Sequence, residues 1–334
     1  MSHTATQTGA AARWRLEAKY LPLAATVSLF MAMATFGSLS YTGFFSAQAF
    51  LNLLIDNAFL VIVAVGMTFV ILAGGIDLSV GSVLALSTMV LAALVERQHW
   101  SLWLAIPLVL CMGTLFGAFM GWLIQRFRLQ PFIVTLAGMF LARGLCYLIS
   151  IDSISITDEA YTALAQMRIP LWGESAALSL SALLALIVLA LAVFVAHHTG
   201  FGRTVYAMGG SEHSATLMGL PVARTTVLVY TVSGFCSALG GVVFTFYMLS
   251  GYGLHAVGLE LDAIAAVVIG GTLLSGGVGY VVGTLFGVLT LGIIQSLIMF
   301  DGSLSSWWTR IVIGVLLFVF CVLQRVFETG RKSA

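Results

Sequence analysis

Residues 56–86 read DNAFLVIVAVGMTFVILAGGIDLSVGSVLAL and place two apolar runs on either side of a short polar hinge. The runs, 58–73 and 80–95, each approach the ~20 apolar residues that span the hydrocarbon core of a membrane. Gly74 and Gly75 permit the backbone conformations that end a helix. The stretch therefore predicts two membrane helices separated by a break.

The polar residues of this hinge have two interpretations. Asp77 and Ser79 are good N-cap residues for the helix that follows, and Gly81 permits close packing in its first turn. Irregular backbone within a membrane must face protein or water, because polar groups left unsatisfied in lipid are costly. The hinge is therefore either the wall of a transport pathway, formed by Gly74, Gly75, Asp77, Ser79 and Gly81, or a surface turn in which Asp77 is only a cap.

The composition is that of an integral membrane protein. Of the 334 residues, 60% are hydrophobic and 8% are charged, against about 25% charged residues in soluble domains. A formal net charge of +1 gives no indication of nucleic-acid binding. The four cysteines lie singly in apolar runs, which is typical of small buried residues rather than of disulfides or metal ligands.

Hydropathy predicts an all-α, polytopic membrane bundle with broken helices. About ten transmembrane spans fit the sequence: 21–40, 50–73, 79–95, 102–124, 132–150, 178–196, 227–249, 259–274, 279–300 and 307–324. Most Lys and Arg residues fall on the side that holds both termini, and the positive-inside rule places that side in the cytoplasm. The chain is thus predicted to be one membrane domain, 21–324, between polar cytoplasmic tails, 1–20 and 325–334.

Two loops are longer than turns. The acidic loop 151–177 is predicted to lie outside, either as a lid or partner surface or as a solvated connector. Loop 197–226 is predicted to be cytoplasmic, and Ser211 after Gly209 and Gly210 indicates the N-cap of a short helix. Such a helix suits binding to a soluble partner, or alternatively lies on lipid headgroups.

Charged residues are few within the predicted spans. Glu260 and Asp262 begin the eighth span on its outer side, where they either complement the helix dipole or face the pathway. Arg143 and Arg310 are expected to snorkel towards the headgroups, with a role in the pathway as the alternative. This set is too sparse for a proton relay. A pore lined by Ser, Thr, Asn, Gly and aromatic residues suits a neutral, hydroxyl-rich solute.

Two short matches suggest an internal repeat. The string GTLFG occurs at 113–117 and 283–287, on glycine stripes that favour close helix packing, and it pairs the fourth span with the ninth as an inverted repeat. A competing match pairs 73–75 with 269–271 and implies a different offset.

Motifs for catalysis are absent from the sequence. Neither lysine, Lys19 nor Lys332, follows the glycine that a GxxxxGK[ST] phosphate loop requires, so ATP binding by such a loop is not expected. No HExxH pattern or cysteine cluster predicts a metal site, no GxSxG elbow predicts a nucleophile, and no cofactor is expected. The sequence favours a transporter over an integral-membrane enzyme.

Four ordered motifs give the chain a family resemblance. They are AVGMTFVILAGGIDLSVGS (64–82), PFIVTLAGMFLARG (131–144), TGFGRTVYAMGG (199–210) and ELDAIAAVVIGGTLLSGGVG (260–279). In this order they resemble the ribose-type sugar permeases of bacterial ABC importers, over residues 52–323. MFDGSLSSWWTRI (299–311), LTLGIIQ (289–295) and the acidic outer loop are most similar to one of the paired permeases of galactofuranose importers.

The resemblance implies a multi-pass permease of the bacterial inner membrane, surrounded by lipid, that moves galactofuranose or a related monosaccharide by alternating access. It implies three protein partners: a cytoplasmic ATPase, a second, related permease and a periplasmic sugar-binding protein. The motif at 199–210 matches the region expected to dock on the ATPase, through Gly202, Arg203, Gly209, Gly210 and Glu212. Sugar contact by the hinge or by 260–279 is our own prediction. A secondary transporter or facilitator is the alternative.

Overall fold

The computed structural model describes residues 8–41, 44, 46–170, 177–302 and 307–332. Parts of both predicted tails, of the outer loop 151–177 and of the motif at 299–311 therefore lie outside the described residues. Within the described ranges the chain is mostly helical, as predicted, and two pairs of very short strands accompany the helices.

The helices follow the order of the predicted spans, with extra short helices in the loops. They are α1 (Thr8–Ser40), α2 (Ala47–Asp56), α3 (Ala58–Leu72), α4 (Val80–Ala92), α5 (Leu102–Phe127), α6 (Pro131–Ile149), α7 (Glu159–Ala165), α8 (Leu180–His198), α9 (Gly200–Gly210), α10 (Glu212–Leu217), α11 (Val222–Met248), α12 (Leu259–Ile269), α13 (Val281–Asp301) and α14 (Trp307–Lys332). A π-helical turn, Ala93–Arg97, extends α4. Antiparallel pairs are formed by β1 (Ile154–Ser155) with β4 (Ser250–Gly251), and by β2 (Arg168–Pro170) with β3 (Ala177–Ser179).

Seven of the described helices are long and apolar enough to cross a membrane, and an eighth span results if α2 and α3, which meet at a 56° bend, count as one. Within the described residues, two of the ten predicted spans do not contain a helix that is long and apolar enough to cross a membrane. The predicted span 259–274 is helical only over α12, and the apolar part of α14 is limited to Trp307–Val322. A helix the length of α12 measures only about 16 Å. The number of spans and the side on which the termini lie stay predictions.

The central helix of the bundle is α3. All of its residues except Phe59 are buried, and it packs against α8, α11, α12 and α13. A helix that is apolar on every side belongs in the core of a helical protein. Its polar residue Thr68 bonds Thr284 of α13, with 2.7 Å between the two hydroxyl oxygens. The helix that precedes the hinge is therefore fixed on all sides.

The close helix packing predicted from the glycine stripe is confirmed between α5 and α11. A Cβ added to Gly117 would overlap the carbonyl oxygen of Tyr230 and would lie 3.0 Å from the Cα of Gly234. Without a hydrophobic driving force between helices in lipid, such small residues let backbones approach closely. Helix α11 of this pair carries Ser233, which bonds Asp77 of the hinge.

The described part of the outer loop is folded onto the helices. Strand β1 pairs with β4, and the backbone N–H of Thr157 donates to Glu96 at 2.8 Å. Tyr161 of α7 is fully buried, and its hydroxyl bonds that of Thr245 on α11. The described part of this loop thus forms an ordered cap on one end of the bundle rather than a loose solvated connector.

Candidate transport site

The break after α3 begins with a Schellman motif. Gly74 has φ = +83°, its N–H donates to the Ile71 carbonyl at 2.9 Å, and the N–H of Gly75 donates to the Val70 carbonyl at 2.9 Å. This pair of bonds ends a helix with a left-handed glycine. The predicted break is confirmed. Gly75 is needed for a different reason, because a Cβ there would overlap the hydroxyl of Tyr230.

Asp77 anchors the break inside the bundle. Its side chain is 1% exposed, and one carboxylate oxygen accepts from the Ser79 N–H at 2.9 Å and from the Ser79 hydroxyl at 2.6 Å. The other oxygen accepts from the Ser233 hydroxyl at 2.7 Å. Ser233 lies near the middle of α11, so the turn rests against the centre of that helix and not against its end. These bonds make the carboxylate an anchor of the turn, whereas the N-cap position of α4 is held by Ser79, whose side chain makes no capping bond. A direct transport role for Asp77 stays a prediction.

Gly81 brings the hinge into contact with the start of α12. A Cβ added to Gly81 would lie 2.5 Å from the Glu260 Oε2 and 2.7 Å from the carbonyl oxygen of Ala256. Among the residues that the structure describes, this buried Oε2 has no hydrogen-bond partner. Two predicted pathway residues from separate motifs therefore touch, and one of them keeps an unused acceptor.

The other charged residues of this region have protein partners. Asp262 pairs with Arg310 of α14 at 2.7 Å. The guanidinium of Arg143 donates to the carbonyl oxygens of Gly253 and His255 at 2.6 and 2.7 Å. Snorkelling is therefore the wrong interpretation for Arg143, which instead satisfies backbone carbonyls in the non-helical segment that precedes α12.

A second glycine break follows α12. Gly271 has φ = +89°, and the N–H of Gly277, also left-handed, donates to the carbonyl oxygen of Leu72 at 2.9 Å. The breaks after α3 and α12 therefore meet. Of the two repeat alignments, the match of 73–75 with 269–271 joins segments that both end a helix with a left-handed glycine, although these glycines, Gly74 and Gly271, lie one residue out of register in that match. The Leu72 carbonyl at the end of α3 is satisfied by the break after α12.

The predicted ATPase-coupling residues differ in their surroundings. Gly202 lies where α8 turns into α9, and a Cβ on it would lie 2.5 Å from the carbonyl oxygen of Val195. Arg203, Gly210 and Glu212 are exposed. The set thus combines Gly202, which a tight turn requires, with exposed residues that a partner can contact.

The short helix predicted after Ser211 is confirmed as α10. The Ser211 hydroxyl accepts from the Ser214 N–H at 3.2 Å, and Gly219 ends the segment with φ = +76°. At the end of α10, Leu217 and Met218 are 75% and 66% exposed. The preceding helix α9 was not predicted, because its glycines are more typical of a loop.

A cavity of about 900 Å³ extends from the first break to α10. Gly74, Gly75 and Tyr230 contribute to its lining, as do Glu212 and Thr216. Residues predicted for transport and a residue predicted for coupling therefore face one space. Sequence reasoning missed Tyr230, because nothing in its span distinguishes it from the other polar residues there.

Comparison with known proteins gives the family. A family model described as "Branched-chain amino acid transport system / permease component" matches residues 49–321. The chain is 52% identical to the inner membrane ABC transporter permease protein YjfF of Escherichia coli K12, over 94% of this chain and 96% of that protein. It is 41% identical to the fructose import permease protein FruG of Bifidobacterium longum, over 93% of each.

A third relative is the ribose import permease protein RbsC of Haemophilus influenzae, which is 40% identical over 86% of this chain and 88% of that protein. No solved structure matches the chain significantly. The family match and these relatives agree with the apolar helices of the bundle. The chain belongs to the ribose-type sugar permease family of ABC importers and is a multi-pass protein of the inner membrane.

Proposed function

We propose that this permease moves galactofuranose, or a closely related monosaccharide, by alternating access between the two sides of the membrane. The observation that supports it most directly is the contact of Gly81 with Glu260, which leaves a buried carboxylate oxygen without a partner among the described residues. Ionisable residues within a membrane domain are expensive and therefore indicate function. A carboxylate accepts hydrogen bonds from hydroxyl groups, which a sugar supplies in number.

The proposed pathway uses the predicted residues in different ways. Gly74 and Gly75 leave room at the inner cavity, and Glu260 supplies the acceptor beside Gly81. Asp77 and Ser79 hold the break in shape, and Asp262 orients the start of α12 through its bond to Arg310. The pathway is completed by a second, related permease, as the resemblance implies.

The proposed ATPase docks on the exposed residues of α9 and α10. This docking surface consists of Arg203, Gly210, Glu212, Leu217 and Met218. Exposed apolar side chains at the end of a short helix, surrounded by polar residues, suit a protein partner. The positive-inside pattern predicts that this surface faces the cytoplasm, where an ATPase is available. A periplasmic sugar-binding protein would meet the ordered cap at the opposite end of the bundle.

Sugar competition tests the proposed substrate. The complex, purified from its native host through a tag on this permease and reconstituted in vesicles with its binding protein, should take up labelled galactofuranose. Unlabelled galactofuranose should suppress that uptake, whereas equal amounts of ribose or fructose should not. Suppression by ribose as strong as by galactofuranose would contradict the substrate assignment while leaving the family assignment intact.

A further inference from the structure

Gly209 lies so close to the backbone of other segments that no side chain fits there. It lies in the last turn of α9, and a Cβ added there would overlap the carbonyl oxygen of Leu72 and the backbone N of Gly277, and would lie 2.9 Å from the Gly277 Cα. The adjacent Gly210 has no atom within 4 Å of the same position. The two neighbouring glycines thus differ completely in their surroundings.

The contact of Gly209 joins both helix breaks. Leu72 ends α3, and its carbonyl oxygen accepts the N–H of Gly277 from the break after α12. A Cβ on Gly276 would lie 2.9 Å from the backbone N of Gly74 and 3.0 Å from the Gly209 Cα. We call these five residues the glycine junction: Leu72, Gly74, Gly209, Gly276 and Gly277. It is built from backbone atoms, which cannot yield by changing rotamer.

Tyr206 fixes the same turn of α9 to the second break. Its hydroxyl donates to the carbonyl oxygen of Gly279 at 2.9 Å. Burial, with a smaller contribution from Tyr280, raises the pKa of Tyr206 to about 12, so the phenol keeps its proton at neutral pH. The α9 helix is therefore attached to the break through a hydrogen bond as well as through Gly209.

We propose that Gly209 is the residue through which movement of the docking surface reaches both helix breaks. The proposal rests on the proposed ATPase drive. Because α10 follows α9 after the single residue Ser211, a displacement of α10 moves α9. The backbone contacts of Gly209 then move the end of α3 and the segment after α12 together. Gly209 is a positioning residue, since it acts through the breaks and touches no sugar.

Gly209→Ala separates ATP hydrolysis from transport, with Gly144→Ala as the control, because a Cβ on Gly144 of α6 would meet no atom within 4 Å. The assay uses the whole complex, purified from the native host and reconstituted in vesicles, and compares the ATP hydrolysed with the sugar taken up. Gly209→Ala should keep the ATPase bound and active but raise the ATP used per sugar by at least about tenfold, within the range of coupling energies between sites. Gly144→Ala should leave the ratio unchanged.

If Gly209→Ala fails to assemble, Tyr206→Phe provides a second variant, which keeps the shape of α9. Loss of its hydrogen bond to Gly279 should raise the ATP used per sugar by about twofold to fivefold, within the range for a neutral hydrogen bond. The proposal is overturned if Gly209→Ala leaves the ATP used per sugar at the wild-type value, or if hydrolysis and uptake fall in parallel. Where Gly209→Ala does not assemble, an unchanged ratio in Tyr206→Phe overturns it. Absence of ATP-driven uptake by the wild-type complex would instead overturn the proposed function.

Discussion

Leucine at position 77 is expected to remove most of the folded permease from the membrane, whereas asparagine should preserve it. In Asp77→Leu the Ser79 N–H and the hydroxyls of Ser79 and Ser233 lose their acceptor in a buried site. Each buried donor without a partner is destabilising by about 1–3 kcal/mol, and total stabilities are only about 5–15 kcal/mol. The measurement is the amount and thermal stability of the detergent-extracted protein.

Asp77→Asn and Ser233→Ala are the controls for this prediction. Asparagine keeps an acceptor for the Ser79 N–H and can donate to the Ser233 hydroxyl, so uptake should stay within about threefold of wild type. Ser233→Ala removes only one of the three donors and should destabilise the protein by about 1 kcal/mol. A large loss of uptake in Asp77→Asn, at normal protein level, would contradict the anchoring role and show that the charge itself acts in transport.

The second large effect is expected at the docking surface. Leu217→Asp should lower recovery of the ATPase with the permease by at least about tenfold, as expected for an apolar hot spot in an interface. The fold should survive, because Leu217 is 75% exposed and substitutions at such positions rarely destabilise a protein. The measurement is the ratio of ATPase to permease after affinity purification.

Ile151→Asp is the matched control for docking. Ile151 is 74% exposed, like Leu217, but it belongs to the loop predicted to lie outside. It should leave ATPase recovery unchanged. Equal recovery in the two variants would contradict the placement of the docking surface on α10, whatever the sugar that the complex moves.

The two breaks show how far the sequence predicts this fold. The sequence predicts the end of α3 from Gly74 and Gly75 and the start of α10 from Ser211. Both predictions succeed because the signals are local to the helix ends. The predicted span 259–274 begins at the same residue as α12 but runs five residues too far, because the helix ends at Ile269, before Gly270 and the left-handed Gly271. Hydropathy does not reveal this second break, which a long-range bond from the Gly277 N–H to the Leu72 carbonyl oxygen holds against the first.

The candidate site follows the same division between local and long-range signals. The sequence identifies Asp77 and Glu260 as unusual residues for a membrane domain, and the structure shows both of them at helix starts. The sequence does not identify Ser233 as the partner of Asp77, because a serine within an apolar span is ordinary. Nor does it reveal that Gly209 and Gly210, which look equivalent in the sequence, have opposite surroundings.

The dependence of uptake on ATP tests the central claim most directly, because a facilitator and a secondary transporter need no ATPase. Vesicles that contain the complex purified with its ATPase, and that receive sugar-loaded binding protein, are compared with and without ATP on the ATPase side. We expect labelled sugar to accumulate above its external concentration only when ATP is supplied. Equal sugar entry in the absence of ATP, stopping at the external concentration, would contradict the claim that this chain is the permease of an ATP-driven sugar importer.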